Sequence, residues 1–124
     1  MKRETIQTSK AASHRNPIPQ AVKIGNMLFT SAITGQDPGT QKIPEDPRAQ
    51  VFQAFENLKA IVEAAGGTME NVGKVNVWLK DLNLRDVVNE AWVKHFPADR
   101  PARMTLQTGV LPGTSIELDA LAVL

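Results

Sequence analysis

The chain contains no cysteine. That excludes disulfides, thiolate nucleophiles and cysteine-based metal sites, and it fits a reducing compartment. Charge of neither sign is in excess: 14 lysines and arginines oppose 13 aspartates and glutamates, a formal net charge of +1. There is no basic excess to draw nucleic acid and no acidic tail. Aromatic residues make up only 5%, which further disfavours a row of base-stacking platforms. No apolar run approaches the roughly 20 residues that cross a bilayer, so no membrane partner is expected. The start, Met1-Lys2-Arg3-Glu4-Thr5, leads into no apolar segment of the secretory kind. The expectation is a soluble cytoplasmic protein. The two histidines, His14 and His95, have no partner carboxylates at ligand spacing, so no metal site is expected. Internal repeats and low-complexity segments are also absent.

What is present is an ordinary globular mix, 42% hydrophobic and 22% charged over 124 residues. It predicts one domain spanning 1–124, which would bury roughly two-thirds of the surface its unfolded chain exposes. Thr5-Ile6-Gln7-Thr8 reads as a short first strand. Ala21 to Ile24 and Met27 to Ser31 read as a hairpin around Gly25-Asn26. Gly35 to Thr40 is turn chemistry. A helix follows, with Asp46 as N-cap, Pro47 at its first position and an apolar stripe of Val51, Phe52, Phe55, Leu58, Val62 and Ala65. Gly66-Gly67 ends it. Lys74 to Lys80 alternates as a strand. A second helix, capped by Asn83 and ending near Phe96-Pro97, carries Leu84, Val87, Val88, Ala91 and Trp92. Two strands complete the chain. The order is that of an α+β fold, a five- to six-stranded sheet with two helices on one face.

The last quarter carries the chemistry. In a strand, side chains alternate with period two. Arg103, Thr105 and Gln107 therefore share one face of their strand, opposite Ala102, Met104 and Leu106. Glu117 and Asp119 share a face of the last strand. On neighbouring strands, a guanidinium and a carboxylate in such apolar surroundings would hold an organic anion and activate water beside it. The second sheet face is then half polar, the character of a subunit interface enclosing a polar cleft. The competing explanation of Arg103 and Asp119 is a cross-strand salt bridge.

The chain resembles the RidA/YjgF family of imine and enamine deaminases, some of whose members carry the label endoribonuclease L-PSP. The resemblance runs from about Pro17 to Leu124. It rests on Gln20-Ala21-Val22-Lys23 with Gly25-Asn26, on Phe29-Thr30-Ser31, and on the helix from Ala54 to Gly66. It continues through Lys74-Val75-Asn76-Val77-Trp78-Leu79, Val88-Asn89-Glu90, Arg100-Pro101-Ala102-Arg103 and Glu117 to Val123. No single piece is specific; all of them in order, at the family's spacing, are. The resemblance implies a chorismate-mutase-like fold assembled as a homotrimer, with clefts between neighbouring subunits. It implies that Arg103 grips a substrate carboxylate and that Ser31 and Asn89 line the cleft. Thr105 falls where many members have cysteine, and Ile18 where many have tyrosine. Asp119 falls where the family has the glutamate that positions or activates water. Ala32-Ile33 replaces a usual Gly-Gln.

The implied activity is hydrolysis of reactive 2-imino or enamine acids to keto acid and ammonia, without metal or organic cofactor. Arg103 and Asp119 would be catalytic, with Ser31, Asn89, Thr105 and Ile18 binding substrate. Two other readings stand beside it. One is a non-catalytic trimer that binds small carboxylates or a partner; the other, against which the charge balance argues, is a ribonuclease. Glu117 is an alternative acid. His14 is a candidate neighbour of the cleft, while His95 and both tryptophans read as structural.

Overall fold

Alternation of small and branched apolar residues builds the sheet, and helical spacing of larger ones covers it. The computed structural model describes residues 1–124. Its strands are β1 (Glu4–Ile6), β2 (Ala21–Ile24), β3 (Met27–Thr30), β4 (Ile33–Thr34), β5 (Val72–Leu79), β6 (Ala102–Gln107) and β7 (Ile116–Val123). Its helices are α1 (Pro47–Ala64) and α2 (Arg85–His95), with short 3-10 turns at Met69–Asn71 and Leu82–Leu84. The strand order is β1-β2-β3-β7-β5-β6, and the two-residue β4 pairs with β7 beyond the end of β3. All pairs are antiparallel except β5 and β6. Those two are parallel because α2 lies between them as a crossover.

One face of this sheet is the core. Val75, Val77 and Leu79 of β5 are buried, as are Ile116, Leu118, Ala120 and Ala122 of β7. Against them lie Val51, Ala54, Phe55, Leu58, Ile61 and Val62 of α1, with Val88, Ala91 and Trp92 of α2. Both helices thus cover the same face, and a single cluster of 23 buried apolar residues joins them to the sheet.

The local signals act as expected in most places. Gly25, with φ 61°, turns the β2–β3 hairpin. Asp46 accepts a hydrogen bond from the Arg48 amide at the start of α1, and Gly66 sits at φ 92° just beyond its end. One cap differs. Asp81, not Asn83, is the capping side chain, accepting from the Asn83 amide at 2.8 Å. The chain enters a 3-10 turn there and runs directly into α2, whose own N-cap position, Leu84, makes no side-chain bond.

Three buried amides tie loops to this frame. Gln20 accepts from the Thr8 amide and donates to the carbonyls of Thr8, Ala11 and Ala12. Gln50 donates to Pro44 O and accepts from the Ser115 amide. Asn57 donates to the carbonyls of Thr34 and Gln36. No buried side-chain nitrogen or oxygen lacks a partner, so this interior polarity carries no unpaired-group penalty, which would be about 1–3 kcal/mol each.

Gly35 does more than turn the chain. A Cβ there would lie 2.2 Å from the Gln50 carbonyl oxygen, because α1 passes directly over the exit of β4. Gly35→Ala is therefore expected to cost about 1–3 kcal/mol, the usual cost of overpacking. At Gly109 a Cβ would meet nothing within 4 Å, so Gly109→Ala should stay within about 0.5 kcal/mol of wild type. Denaturant midpoints measure both, and equal midpoints for the two variants would refute the close-approach argument.

Candidate functional site

Arg103 lies on β6, the edge strand next to β5. The register pairs Arg103 with Val75 and Thr105 with Val77, while Met104 and Leu106 align with Asn76 and Trp78. Val75 and Val77 face the helices, so Arg103 and Thr105 do too. Met104 and Leu106, 50% and 43% exposed, point to the open face. Arg103 Nη2 donates to Asn89 Oδ1 at 2.8 Å, and its guanidinium carbon stands 4.9 Å from the centroid of the Trp92 ring. Arg103, Asn89 and Thr105 thus form one cluster at the sheet edge, under α2. Burial first, and the nearby Arg85 cation second, push the Arg103 guanidinium below its ordinary range; it remains a cation at neutral pH. The ion pairs of the chain are Arg48–Glu90 and Lys59–Glu63, and Glu56 contacts the His95 ring. No carboxylate neutralises Arg103.

Asp119 lies elsewhere. On β7 it pairs with Asn76, on the open face. Its Oδ1 accepts from Asn76 Nδ2 at 2.9 Å and its Oδ2 from Trp78 Nε1 at 2.8 Å. The expectation that Arg103 and Asp119 share a sheet face on neighbouring strands is therefore corrected, and so is the cross-strand salt bridge. Strand β5 separates β6 from β7, and the alternation of β6 is inverted relative to that expectation. Glu117 shares the open face, but its Oε2 accepts from the Leu111 amide at 3.0 Å, which assigns it to holding the 111–114 loop.

Ser31 belongs with the Asp119 side. Pairing with β7 jumps from Phe29↔Leu121 to Ile33↔Leu118. Thr30, Ser31 and Ala32 therefore bulge opposite Asp119 and Ala120, a common device for re-aiming side chains beside active sites. Ser31 Oγ donates to Pro19 O at 2.7 Å. A hydroxyl has one proton to give, so Ser31 presents only lone pairs outward. Beside the bulge is a cavity of about 770 Å³, bounded by the 12–18 segment, the 36–43 loop, β4 and the 111–114 loop. Ile18, 43% exposed, and Ala32 and His14 line it; Arg103, Asn89, Thr105 and Asp119 do not. The predicted residues thus fall into two groups, Arg103–Asn89–Thr105 at the β6 edge and Ser31–Ile18–Asp119 about the bulge.

Asn76 escaped the sequence reading, though the alternation of β5 places it beside Trp78 and opposite Val75 and Val77. Trp78 proves to be a hydrogen-bond donor on the open face. Trp92 packs edge-on to Phe55 at 6.1 Å and underlies the Arg103 guanidinium. His95 is structural as expected, stacked on Phe55 at 5.6 Å with its ring nitrogens against Ala91 O and Glu56 Oε1. No group of three or more potential metal ligands occurs, and no helix is long and apolar enough to cross a membrane.

Residues 8–124 match the sequence profile of the family described as Endoribonuclease L-PSP. A 2-iminobutanoate/2-iminopropanoate deaminase of Escherichia coli K12 is 40% identical over 124 residues, covering 97% of each chain. The chloroplastic Reactive Intermediate Deaminase A of Arabidopsis thaliana is 36% identical across 100% of this chain and 67% of its own. The crystal structure of RidA from an Antarctic Psychrobacter superimposes with a TM-score of 0.94 at 42% identity, over 98% of this chain and 100% of that one. The chain belongs to this family, the RidA/YjgF proteins, and has their chorismate-mutase-like fold.

Burial holds the His14 imidazole below its ordinary value of 6.5. The unfolded chain therefore takes up this proton more readily than the folded one, and the folded state loses stability as pH falls below about 6.5. His14→Gln should lose less thermal stability than wild type on going from roughly pH 7 to pH 5. Parallel melting-temperature profiles would contradict the assignment.

Proposed function

We propose that the protein is a hydrolytic deaminase of reactive 2-imino and enamine acids, working as a homotrimer with its sites in clefts between subunits. The observation that carries this reading is the half-buried Arg103 guanidinium with no carboxylate partner. A planar fork in that state is suited to pair with both oxygens of a substrate carboxylate. The imine deaminase relatives support the chemistry.

Association follows from the division of the candidate residues. Arg103 and Asp119 lie on opposite faces of one sheet, so a site using both needs two copies of the chain. The open face also bears Phe29, Leu121, Val123, Met104 and Leu106, each at least 39% exposed. An apolar stretch of this kind marks an interaction surface. The trimeric number rests on the family resemblance.

In such a cleft Arg103, its fork steadied by Asn89, anchors the carboxylate of the imino acid. Water adds to the electrophilic carbon of the protonated imine, giving a carbinolamine. Asp119 orients that water and takes its proton. That proton passes to the carbinolamine nitrogen, the carbon–nitrogen bond breaks to release ammonia, and the hydroxyl gives up its own proton as the ketone forms. Ser31, its proton committed to Pro19 O, accepts a hydrogen bond from the nitrogen; Thr105 offers a further hydroxyl. The protonated imine is its own electron sink, so the reaction draws on no cofactor or metal.

A second reading has a specific observation behind it. Both Asp119 oxygens already accept from Asn76 and Trp78, which favours a carboxylate-binding trimer without turnover. A ribonuclease has less support, since a formal net charge of +1 supplies no electrostatic footprint for RNA.

Ammonia release from freshly generated 2-imino acids tests the proposal. Wild type should exceed buffer, and Arg103→Ala should lower kcat/KM by about 10²-fold or more, as loss of one partner of a desolvated charge pair does. Arg103→Lys should also fall well short, because a point charge does not replace the fork. Absence of acceleration across several side chains, with a keto acid raising the melting temperature, would transfer the case to the binding reading.

A further inference from the structure

The cavity beside Ser31 has a charge character that imine hydrolysis alone does not explain. Its three titratable lining groups, His14, Arg15 and Lys42, are all basic, and no aspartate or glutamate lines it. Two acids close to its walls in sequence are turned to backbone amides, while Glu63 pairs with Lys59 and the exposed Glu45, two residues beyond Ile43, does not line the cavity. Asp37 accepts from the amides of Gly39 and Thr40 at 2.8 and 2.9 Å, and Glu117 from that of Leu111. Neither Arg15 nor Lys42 takes part in an ion pair. The lining also includes the apolar side chains of Ile18, Ile33 and Ile61, among uncharged polar residues such as Thr34 and Gln36. At about 770 Å³ the space is within the usual range for a small-molecule site. It far exceeds what the one- or two-carbon side chain of the smallest imino acids would fill.

We propose that this cavity is the side-chain subsite of the enzyme, and that its acid-free basic rim selects 2-imino acids bearing a second carboxylate. The inference rests on the deaminase reading, under which Ser31 and Ile18 border the bound imine and the cavity continues from them. The isoleucines take the methylenes of the side chain. Arg15 and Lys42 receive the distal carboxylate, and the part-buried His14 imidazole offers it a ring N–H hydrogen bond.

Binding of two keto acids of equal length separates the claims. 2-Oxoglutarate ends in a carboxylate where 2-oxopentanoate ends in a methyl group. Calorimetry on the full-length protein should give about tenfold tighter binding of 2-oxoglutarate, weakening with added salt. In the double variant Arg15→Gln, Lys42→Gln the ratio should fall to near one. Both residues are exposed, and a melting curve checks that the variant folds. Turnover of 2-iminoglutarate against 2-iminopentanoate should follow the same ratio. Equal affinity of wild type for the two keto acids, or a preference that survives the double substitution, overturns the inference whether or not the protein turns over any substrate. Failure to release ammonia from every imino acid, with the binding preference intact, would instead remove the deaminase reading and leave a dicarboxylate-binding cavity.

Discussion

The parallel register of β6 on β5 is the constraint on which the functional architecture depends. Pairing Arg103 with Val75 sends the guanidinium under α2 and sends Met104 and Leu106 outward. A slip of one residue would reverse every side chain of the strand. Arg103 would then join Asp119 on the open face, and the apolar pair would turn toward the helices. The observed register instead gives Arg103 the Trp92 ring and Asn89 as neighbours. It also leaves exposed hydrophobic residues on the open face, where another chain can cover them. The same choice divides the candidate residues between the two faces of the sheet.

The bulge opposite Asp119 depends on a different set of forces. Buried amides do there what hydrophobic contact cannot, because loops have directional backbone groups to satisfy. Gln20 gathers the carbonyls of Thr8, Ala11 and Ala12 before the chain reaches Ile18. Asn57 holds the carbonyls on both sides of Gly35, and Gln50 joins α1 to the segment around Ser115. These bonds define the walls of the cavity. They reach from β1 to β7 in sequence, so the cavity is a property of the assembled fold rather than of any one loop.

Much of this was legible in the sequence. The Asp46-Pro47 start, the Gly66 stop, the Gly25-Asn26 hairpin and the stripes of both helices are local signals, and local physics decides them. Strand order is not local. Nothing in β6 or β7 alone states that β5 lies between them. The period-two pattern of β6 separates its residues into two sets without saying which faces the helices, and Met104 and Leu106 look like core residues until the edge position is known. The family resemblance named Asn89 as a residue of the cleft, but its hydrogen bond with Arg103 is visible only in the assembled fold. Asn76 and Gln50 show the converse limit: a polar residue inside an apolar pattern announces a partner but does not name it.

The energetic position of Arg103 gives the functional reading its physical force. A half-buried cation loses part of its hydration, and the Arg85 charge adds repulsion. The fold returns one amide hydrogen bond and an aromatic face, interactions worth less than a full counterion in the same place. A protein selected for stability alone would place a carboxylate there or an apolar side chain of similar size. Under the proposed function, an arriving anion would complete the pairing that the chain withholds, its binding favoured by desolvation already incurred in folding. The same reasoning applied to Asp119 gives the opposite result, since its two oxygens have donors. Under the proposed deaminase reading, Arg103 is poised for an anion in the isolated chain, whereas Asp119 would draw on what the Asn76 and Trp78 hydrogen bonds leave free.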